Sequence, residues 1–294
     1  DSQDLSLNIS REMLQHDRQL KLIAGRLEKK IHSELLSMLN TDRENYEKFF
    51  GNFGLQLKYG LYSDFGTHRE VLQDLLLFHS SHENKLTSLA EYVSRMKEEQ
   101  KYIYYACGET PEKAAALPQT EAVADKGYEI LYLTQDVDEF ALKMLHQFEE
   151  KEFRSVSSDD LGFDTPEEEK SEPTEEQKSL FDAMTAALGG KVTAVRASKR
   201  LKTHPVCLTS GGEISLEMER VLNAQPGDQK VSARRVLEIN ESHPIYQKLL
   251  SLKDNEEQLK LYAGLLYDQA LLIEGMSVED PVAFSNQLCK LLSE

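Results

Sequence analysis

The 294-residue chain has no tryptophan, only three cysteines, and no apolar run that approaches the roughly 20 residues of a membrane-spanning helix. Cys107, Cys207 and Cys289 lie far apart and form no CxxC pair, so neither a disulfide framework nor a zinc site is indicated. The first residues also lack the pattern of a signal peptide. These absences predict a soluble protein of a reducing cytoplasm.

Basic residues are also scarce. The chain has 34 Lys and Arg against 51 Asp and Glu, which gives a net charge of −17. Nucleic acids and anionic membranes are bound by clustered Lys and Arg, so we expect neither as a partner. With 40% hydrophobic and 29% charged residues the composition is that of an ordinary globular protein, and the length suffices for about two domains.

Two short patterns resemble ligand sites but are better explained by structure. His79 and His82 form an HxxH spacing, yet no third ligand lies nearby, so we expect surface histidines of a helix and no metal site. Gly189-Gly190-Lys191 lacks the upstream glycine of a phosphate-binding loop and is typical of a helix end.

Residues 1–15, DSQDLSLNISREMLQ, combine a helix start with a charge that does not suit it. Asn8 and Ser10 can each cap a helix that begins near Arg11. The first turn of a helix is partly positive, so an arginine there costs up to about 1 kcal/mol unless an anion such as phosphate approaches. The pattern alone leaves open a solvated surface arginine and a phosphate contact.

The spacing of apolar residues predicts an α/β part followed by an α+β part. Residues 1–39 end in a long helix, and residues 40–85 form a helical connector of short helices broken by glycines. Residues 86–157 alternate strand, helix, strand, helix and strand, which predicts a small three-layer αβα subdomain with a mainly parallel sheet. Residues 158–174 are an acidic linker, and residues 175–294 form an α+β dimerisation domain that ends in a helix bundle.

Particular residues and elements follow from the same patterns. The long helix is predicted to bury a stripe formed by Leu20, Ile23, Leu27, Ile31, Leu35 and Met38. The connector is predicted to pack through Phe49, Phe50, Phe53 and Phe65. The predicted strands are 101–107, 128–133, 153–156, 191–197, 206–209 and 233–239, with a helix over 137–148 and a capping box at 174–177.

Residues 212–225 form an amphipathic segment between Gly211-Gly212 and Pro226-Gly227. One face of the predicted helix carries Ile214, Met218, Val221 and Leu222. The pattern alone favours packing of this face against the domain's own sheet, and an exposed binding surface is the alternative.

Two final helices are predicted, over 255–274 and 281–293. The first is apolar most of the way round, and the second is too short to be stable alone. A four-helix contact with a second copy of the chain would bury both, which predicts a homodimer. The predicted interface residues are Leu265, Leu266, Leu272, Phe284, Leu288 and Leu291.

Four segments in order resemble the ninety-kilodalton heat-shock chaperone family, and together they span nearly the whole chain. They are LNISREMLQ at 7–15, YVSRMKEEQKYIYY at 92–105, FRSVS at 153–157 and LLYDQALLIEGMSVEDP at 265–281. The resemblance implies an ATP-dependent chaperone, of which this chain supplies half of the middle domain and the C-terminal domain.

The resemblance also implies roles for individual residues. Arg11 would reach the γ-phosphate of ATP, supported by Gln15, while ATP and Mg²⁺ would be held by a separate N-terminal domain. The parent protein would then be an ATPase, whereas this chain alone would neither hold the cofactor nor hydrolyse it. Phe140, with the face formed by Ile214, Met218, Val221 and Leu222, would contact unfolded or partly folded client proteins.

Further partners implied by the family are a second copy of the chain and cytosolic co-chaperones. The alternative function is a non-enzymatic dimeric scaffold or adaptor. In that case Arg11 is a surface residue, and the apolar face of residues 212–225 belongs to the core.

Overall fold

The computed structural model describes residues 18–163, 174–226 and 230–293, which form two units, each built on one β-sheet. The first unit contains α1 (Arg18–Thr41), α2 (Arg43–Ser63), α3 (Arg69–Leu72), β1 (Leu77–Ser80), β2 (Leu86–Ser88), α4 (Leu89–Arg95), β3 (Tyr102–Cys107), α5 (Pro111–Ala115), α6 (Glu121–Asp125), β4 (Ile130–Leu133), α7 (Asp138–Leu145), β5 (Gln147–Phe148) and β6 (Lys151–Ser155). The second contains α8 (Glu175–Ala187), β7 (Ala194–Ala197), β8 (Val206–Gly211), α9 (Leu216–Ala224), β9 (Arg234–Ile239), α10 (Pro244–Ser251), α11 (Glu256–Ile273) and α12 (Pro281–Leu292).

The sheet of the first unit has the strand order β2-β1-β4-β3-β6-β5. Strand β3 pairs in parallel with both β4 and β6, which confirms the predicted parallel centre. Strands β1, β2 and β5 pair antiparallel around that centre and were not predicted. The predicted helix over 137–148 ends at Leu145, because His146 adopts a left-handed backbone with φ of 64° and the chain then turns into β5.

The two faces of this sheet bury alternate residues of β3. Ile103 and Tyr105 share a core cluster with residues of α2 and α7. Tyr104 and Ala106 point the other way, into a cluster with residues of α5 and α6. Because successive side chains of a strand point to opposite faces, both faces must be covered, and the predicted three-layer αβα arrangement is confirmed.

Helices α1 and α2 differ from their predictions. Ile23, Leu27 and Ile31 are 43%, 55% and 56% exposed, so the prediction of one buried stripe is wrong for this stretch of α1. The connector contains the short helix α3 and the strand β1 after its first helix. That first helix, α2, is continuous through Gly51, Gly54 and Gly60, where several short helices were predicted. Its glycines do not break it, because a helical glycine costs only about 1 kcal/mol and the packed aromatic rings can offset that cost.

The aromatic residues of α2 divide into two groups. Phe50 is buried against Tyr46, and Phe49 packs at the edge of the same cluster. Phe53 and Phe65 are 53% and 85% exposed, so the prediction that they pack in the core is wrong. No described residue covers Phe65 because it lies just beyond the end of the helix.

The second unit has a sheet of order β7-β9-β8, parallel between β7 and β9 and antiparallel between β9 and β8. Helices α8, α10 and α11 contribute to a core cluster with the strands. The predicted capping box is present. The Thr174 hydroxyl accepts from the Gln177 N–H, and the Gln177 side-chain carbonyl accepts from the Thr174 N–H. Asp280 caps α12 and Pro281 is its first residue. Helix α10 was not predicted.

Candidate functional site

Helices α7 and α9 meet where the two units contact each other. The Glu139 carboxylate of α7 accepts hydrogen bonds from the Tyr105 hydroxyl at 2.9 Å and from the Ser215 hydroxyl at 2.5 Å. Ser215 is the N-cap of α9 and accepts from the Met218 N–H at 3.0 Å. Burial raises the pKa of Glu139, although the bonds from Ser215 and Tyr105 oppose that shift. One hydroxyl therefore both caps α9 and ties it to α7.

Two charged side chains make further contacts between α7 and α9. The Arg220 guanidinium of α9 pairs with Asp136, just before α7, at 2.9 Å. The Lys143 ammonium of α7 donates to the backbone carbonyl of Glu213, just before α9. Contacts just before α9 and near its middle thus hold it against the first unit.

The end of the first unit adds a short parallel pairing to the edge of the second sheet. The Ser210 N–H of β8 donates to the Ser157 carbonyl, and the Asp159 N–H donates to the Ser210 carbonyl, each at 2.9 Å. The Arg200 guanidinium then donates to the Val156 carbonyl at 2.7 Å. The bounds of the acidic linker stay a prediction, but its first residues are part of this contact between the units.

Glu238 lies at the centre of that contact and is 1% exposed. Its carboxylate accepts from Arg200 Nε at 3.0 Å, from Arg196 Nη2 at 2.6 Å and from the Ser198 hydroxyl at 2.8 Å. Burial alone would raise the pKa of Glu238, but the two guanidiniums and the hydroxyl lower it overall. A buried carboxylate in this setting stays ionised, and its partners are held in fixed positions.

A buried hydrogen bond between a side-chain amide and a carboxyl group also joins the units, near the end of α11. The Gln119 side-chain amide donates to the Leu208 carbonyl at 2.6 Å and to the Glu274 carboxyl group. Burial raises the pKa of Glu274 to about 8, and the bond from Gln119 only partly opposes that shift. Nearby, Glu121 pairs with His204 at 2.7 Å.

The titration of Glu274 is expected to make stability depend on pH. Its pKa rises from 4.5 to about 8 on folding, so its contribution is fully present below pH 4.5 and is lost as the pH rises through about 8. The slope is at most about 1.4 kcal/mol per pH unit. Urea unfolding at a series of pH values should show this decline in the wild type and a flatter profile in Glu274→Gln. Identical profiles would rule out this role for Glu274.

The last two helices carry the residues predicted to form a dimer. Leu265 and Leu266 are 8% and 6% exposed, since this chain already covers them, and their part in a dimer interface stays a prediction. Leu272 and Leu288 are 50% and 42% exposed, and no described residue of α12 is fully buried. A groove of about 460 Å³ separates α11, α12 and the end of α8.

Histidine and cysteine residues form no cluster in the described ranges. His79 lies in strand β1 and His82 in the turn after it, so the expectation of helix-surface histidines is wrong. Among the described residues no group of three His, Cys, Asp or Glu could hold a metal ion. Cys107, Cys207 and Cys289 are free thiols, and burial raises the pKa of the first two well above the usual value.

None of the described helices is long and apolar enough to cross a bilayer.

The family model for Hsp90 protein matches residues 1–294. The chain belongs to the Hsp90 family. It is 62% identical over 293 residues to Chaperone protein HtpG of Clostridium acetobutylicum, covering 99% of this chain and 47% of that relative. The corresponding proteins of Halalkalibacterium halodurans and Bacillus subtilis are 61% and 60% identical over 295 residues, and this chain covers 47% of each. The chain thus spans about half the length of these curated relatives, and the family resemblance of its four segments is confirmed.

In this Hsp90-family chain the residues predicted to act on ATP, Arg11 and Gln15, lie outside the described residues. Their roles stay predictions. Helix α1 is described from Arg18 onward.

The residues predicted to contact clients are less exposed than expected. Phe140 and Val221 are each 8% exposed, and the Phe140 ring packs edge-on against Tyr62 with centroids 5.5 Å apart. Ile214 is partly buried against the core of the second unit, and Met218 and Leu222 are also half-buried. The face that the resemblance implies to be exposed is therefore only partly exposed, because α9 packs on its own chain. A client-binding role for these residues stays a prediction.

Sequence patterns did not reveal the residues that join the two units. Glu139 lies next to Phe140 and contacts Ser215, which is 76 residues away in the chain. Glu238 lies in a strand and contacts Arg200, 38 residues away. The only sequence signal available was a charged residue inside an otherwise apolar element, because such a residue needs a partner when it is buried.

Proposed function

We propose that this chain is part of an ATP-dependent molecular chaperone that binds unfolded or partly folded proteins. The observation that carries the proposal is identity of about 60% over nearly the whole chain to relatives that are named Chaperone protein HtpG. A match of that extent covers the opening segment, both units and the contacts between them.

The proposed ATP chemistry rests on Arg11. In the parent protein, ATP and Mg²⁺ would be bound mainly by a domain in the portion of the relatives that this chain does not match. The Arg11 guanidinium would contact the γ-phosphate and stabilise the charge that develops during phosphoryl transfer, and Gln15 would support that contact. Neither residue would act as a general base.

The proposed client surface is the half-buried side of α9 together with the adjoining edge of α7. Met218 suits this role, because an unbranched, polarizable side chain adapts to many apolar partners. Ile214 and Leu222 add apolar area, while the buried Phe140 and Val221 would support the surface from below. The contact between Glu139 and Ser215 would hold the two helices in register.

The proposed assembly is a cytoplasmic homodimer formed through α11 and α12. Leu272 and Leu288 are exposed apolar residues, and Phe284 and Leu291 are half-buried, so a second copy could cover all four. Leu265 and Leu266 would instead hold α11 on its own unit. Cytosolic co-chaperones are further partners proposed for the parent protein.

The test of the ATP role is steady-state ATP turnover by the full-length protein with Arg11→Ala. We expect turnover to fall on the order of 100-fold while nucleotide binding is retained, because the lost contact forms in the transition state. Arg26→Ala, at an exposed arginine of α1, is the matched control and should leave turnover unchanged. Unchanged turnover in Arg11→Ala would instead favour the non-enzymatic dimeric scaffold.

A further inference from the structure

The second half of α2 carries a stripe of exposed apolar side chains. Leu55, Tyr59 and Tyr62 are 40%, 50% and 39% exposed and recur at spacings of four and three residues. Phe65 follows directly after the helix and is 85% exposed. Residues at these spacings share one side of a helix. We call Leu55, Tyr59, Tyr62 and Phe65 the α2 aromatic face.

This part of the helix exposes no charged side chain. Residues 49–63 contain one charged residue, Lys58, which is buried and paired with Asp138 at 2.7 Å. Charged residues make up 29% of the chain, so an exposed helical segment of this length without any is unusual. Asp64, the next charged residue, pairs with His68. The α2 aromatic face therefore suits an uncharged, apolar partner.

Phe65 occupies a backbone position that costs stability. The Gly66 N–H donates to the Leu61 carbonyl, and the Phe65 N–H donates to the Tyr62 carbonyl, which is the Schellman arrangement at a helix end. The residue that takes the left-handed backbone in this arrangement is usually glycine, but here Phe65 takes it with φ of 55°. A bulky residue pays about 1–2 kcal/mol there. A strained and exposed aromatic residue indicates a role other than stability.

The face is continuous with the proposed client surface. The Tyr62 ring contacts the edge of Phe140 on α7, with ring centroids 5.5 Å apart. Helix α7 is in turn joined to α9 by the hydrogen bond between Glu139 and Ser215. A chain bound along α7 and α9 would therefore extend naturally onto α2.

We propose that the α2 aromatic face binds an extended segment of an unfolded polypeptide that is rich in leucine and aromatic residues and poor in charge. This inference rests on the proposed function, since the occupant is a client chain. It extends the client surface from α9 across α7 to α2. A client would then contact both the half-buried side of α9 and the exposed ring of Phe65.

The test measures binding of a fluorescein-labelled peptide of leucine, phenylalanine, serine and glycine to the full-length protein by fluorescence anisotropy. The reference peptide has serine at every leucine and phenylalanine position. Tyr59→Ser combined with Phe65→Gly should weaken binding of the apolar peptide about fivefold or more. Phe53→Ser, at an exposed aromatic residue on another side of α2, is the matched control and should change the affinity by less than about twofold.

Phe65→Gly alone separates binding from stability. Glycine removes the left-handed backbone cost, so the thermal midpoint should rise while the affinity for the apolar peptide falls. A purely structural role for Phe65 cannot produce effects in these opposite directions.

Several results would overturn the inference. Unchanged affinity in the double variant, together with weaker binding in Met218→Ser, would remove α2 from the client surface and leave the proposed function intact. A change in sedimentation mass without a change in peptide affinity would make a second copy the occupant. Equal binding of both peptides by the wild type would refute the inference and the proposed client binding together.

Discussion

Replacing Glu238 by alanine is expected to lower the free energy of unfolding by about 3–5 kcal/mol, because the change leaves a buried guanidinium without its carboxylate. Glu238 is 1% exposed and Arg200 is 5% exposed. Arg200 would keep only its bonds to the Val156 and Asp159 carbonyls. Urea unfolding of the wild type and the variant measures this loss, provided that the free energy of unfolding depends equally steeply on urea concentration in both.

Two further variants make the Glu238 test specific. Glu238→Gln retains hydrogen-bond acceptors and removes the charge, so it should be less damaging than Glu238→Ala. Asp125→Ala breaks a pair with Lys202 in which both side chains are more than half exposed, and should cost less than about 1 kcal/mol. Hydrogen exchange at the Asp159 and Ser210 amides should speed up only in the Glu238 variants. Equal losses in Glu238→Ala and Asp125→Ala would contradict the central role of Glu238.

Replacing Asp138 by alanine is expected to lower the free energy of unfolding by a similar amount, about 3–5 kcal/mol. The change leaves the buried Lys58 ammonium of the first unit without its carboxylate. The two side chains are 2% and 5% exposed, and the Lys58 ammonium also lies 4.7 Å from the centre of the Phe78 ring. Asp138 in addition accepts from the Thr134 and Gln135 N–H groups at the start of α7. Urea unfolding is again the measurement.

A double-mutant cycle separates the charge pair from the other bonds of Asp138. Asp138→Asn keeps an acceptor for the two N–H groups but removes the charge that balances Lys58. Adding Lys58→Met removes the unpaired ammonium while keeping most of the side-chain volume, so the double variant should be more stable than Asp138→Asn alone. If the second substitution instead lowers stability further, the buried charge of Lys58 is not the source of the cost.

Local patterns predicted the elements whose causes are local. The capping box at Thr174 and the parallel strands β3, β4 and β6 each depend on a few neighbouring residues or on one apolar run. Helix α2 was misjudged because glycine propensity was given more weight than the burial of Tyr46 and Phe50. Tertiary packing commonly overrides propensity of that size.

The candidate site was harder to predict than the fold, since its residues meet across long separations in sequence. The 3.6-residue spacing placed Ile214 on one helical face with Met218, but α9 begins only at Leu216, and the spacing could not say that Val221 would be buried. The burial of Phe140 depends on Tyr62, which lies in a different helix. Strand β1 is four residues long and pairs with β4 some fifty residues later, so no local signal distinguishes it from a loop. Long-range partners of this kind leave little trace in a single sequence.

The pairing of Ser157 and Asp159 with Ser210 also determines where the chain can be divided safely. Strand β8 is an edge of its sheet, and these residues pair with the N–H and the carbonyl of Ser210 on that edge. A fragment that begins at Thr174 would lack this pairing. Unpaired edge strands form hydrogen bonds with strands of other molecules and so promote aggregation. A fragment that begins before Ser157 carries its own edge protection. The acidic segment separates the two units in composition, yet its first residues and Ser157 just before it pair with the edge of the second sheet.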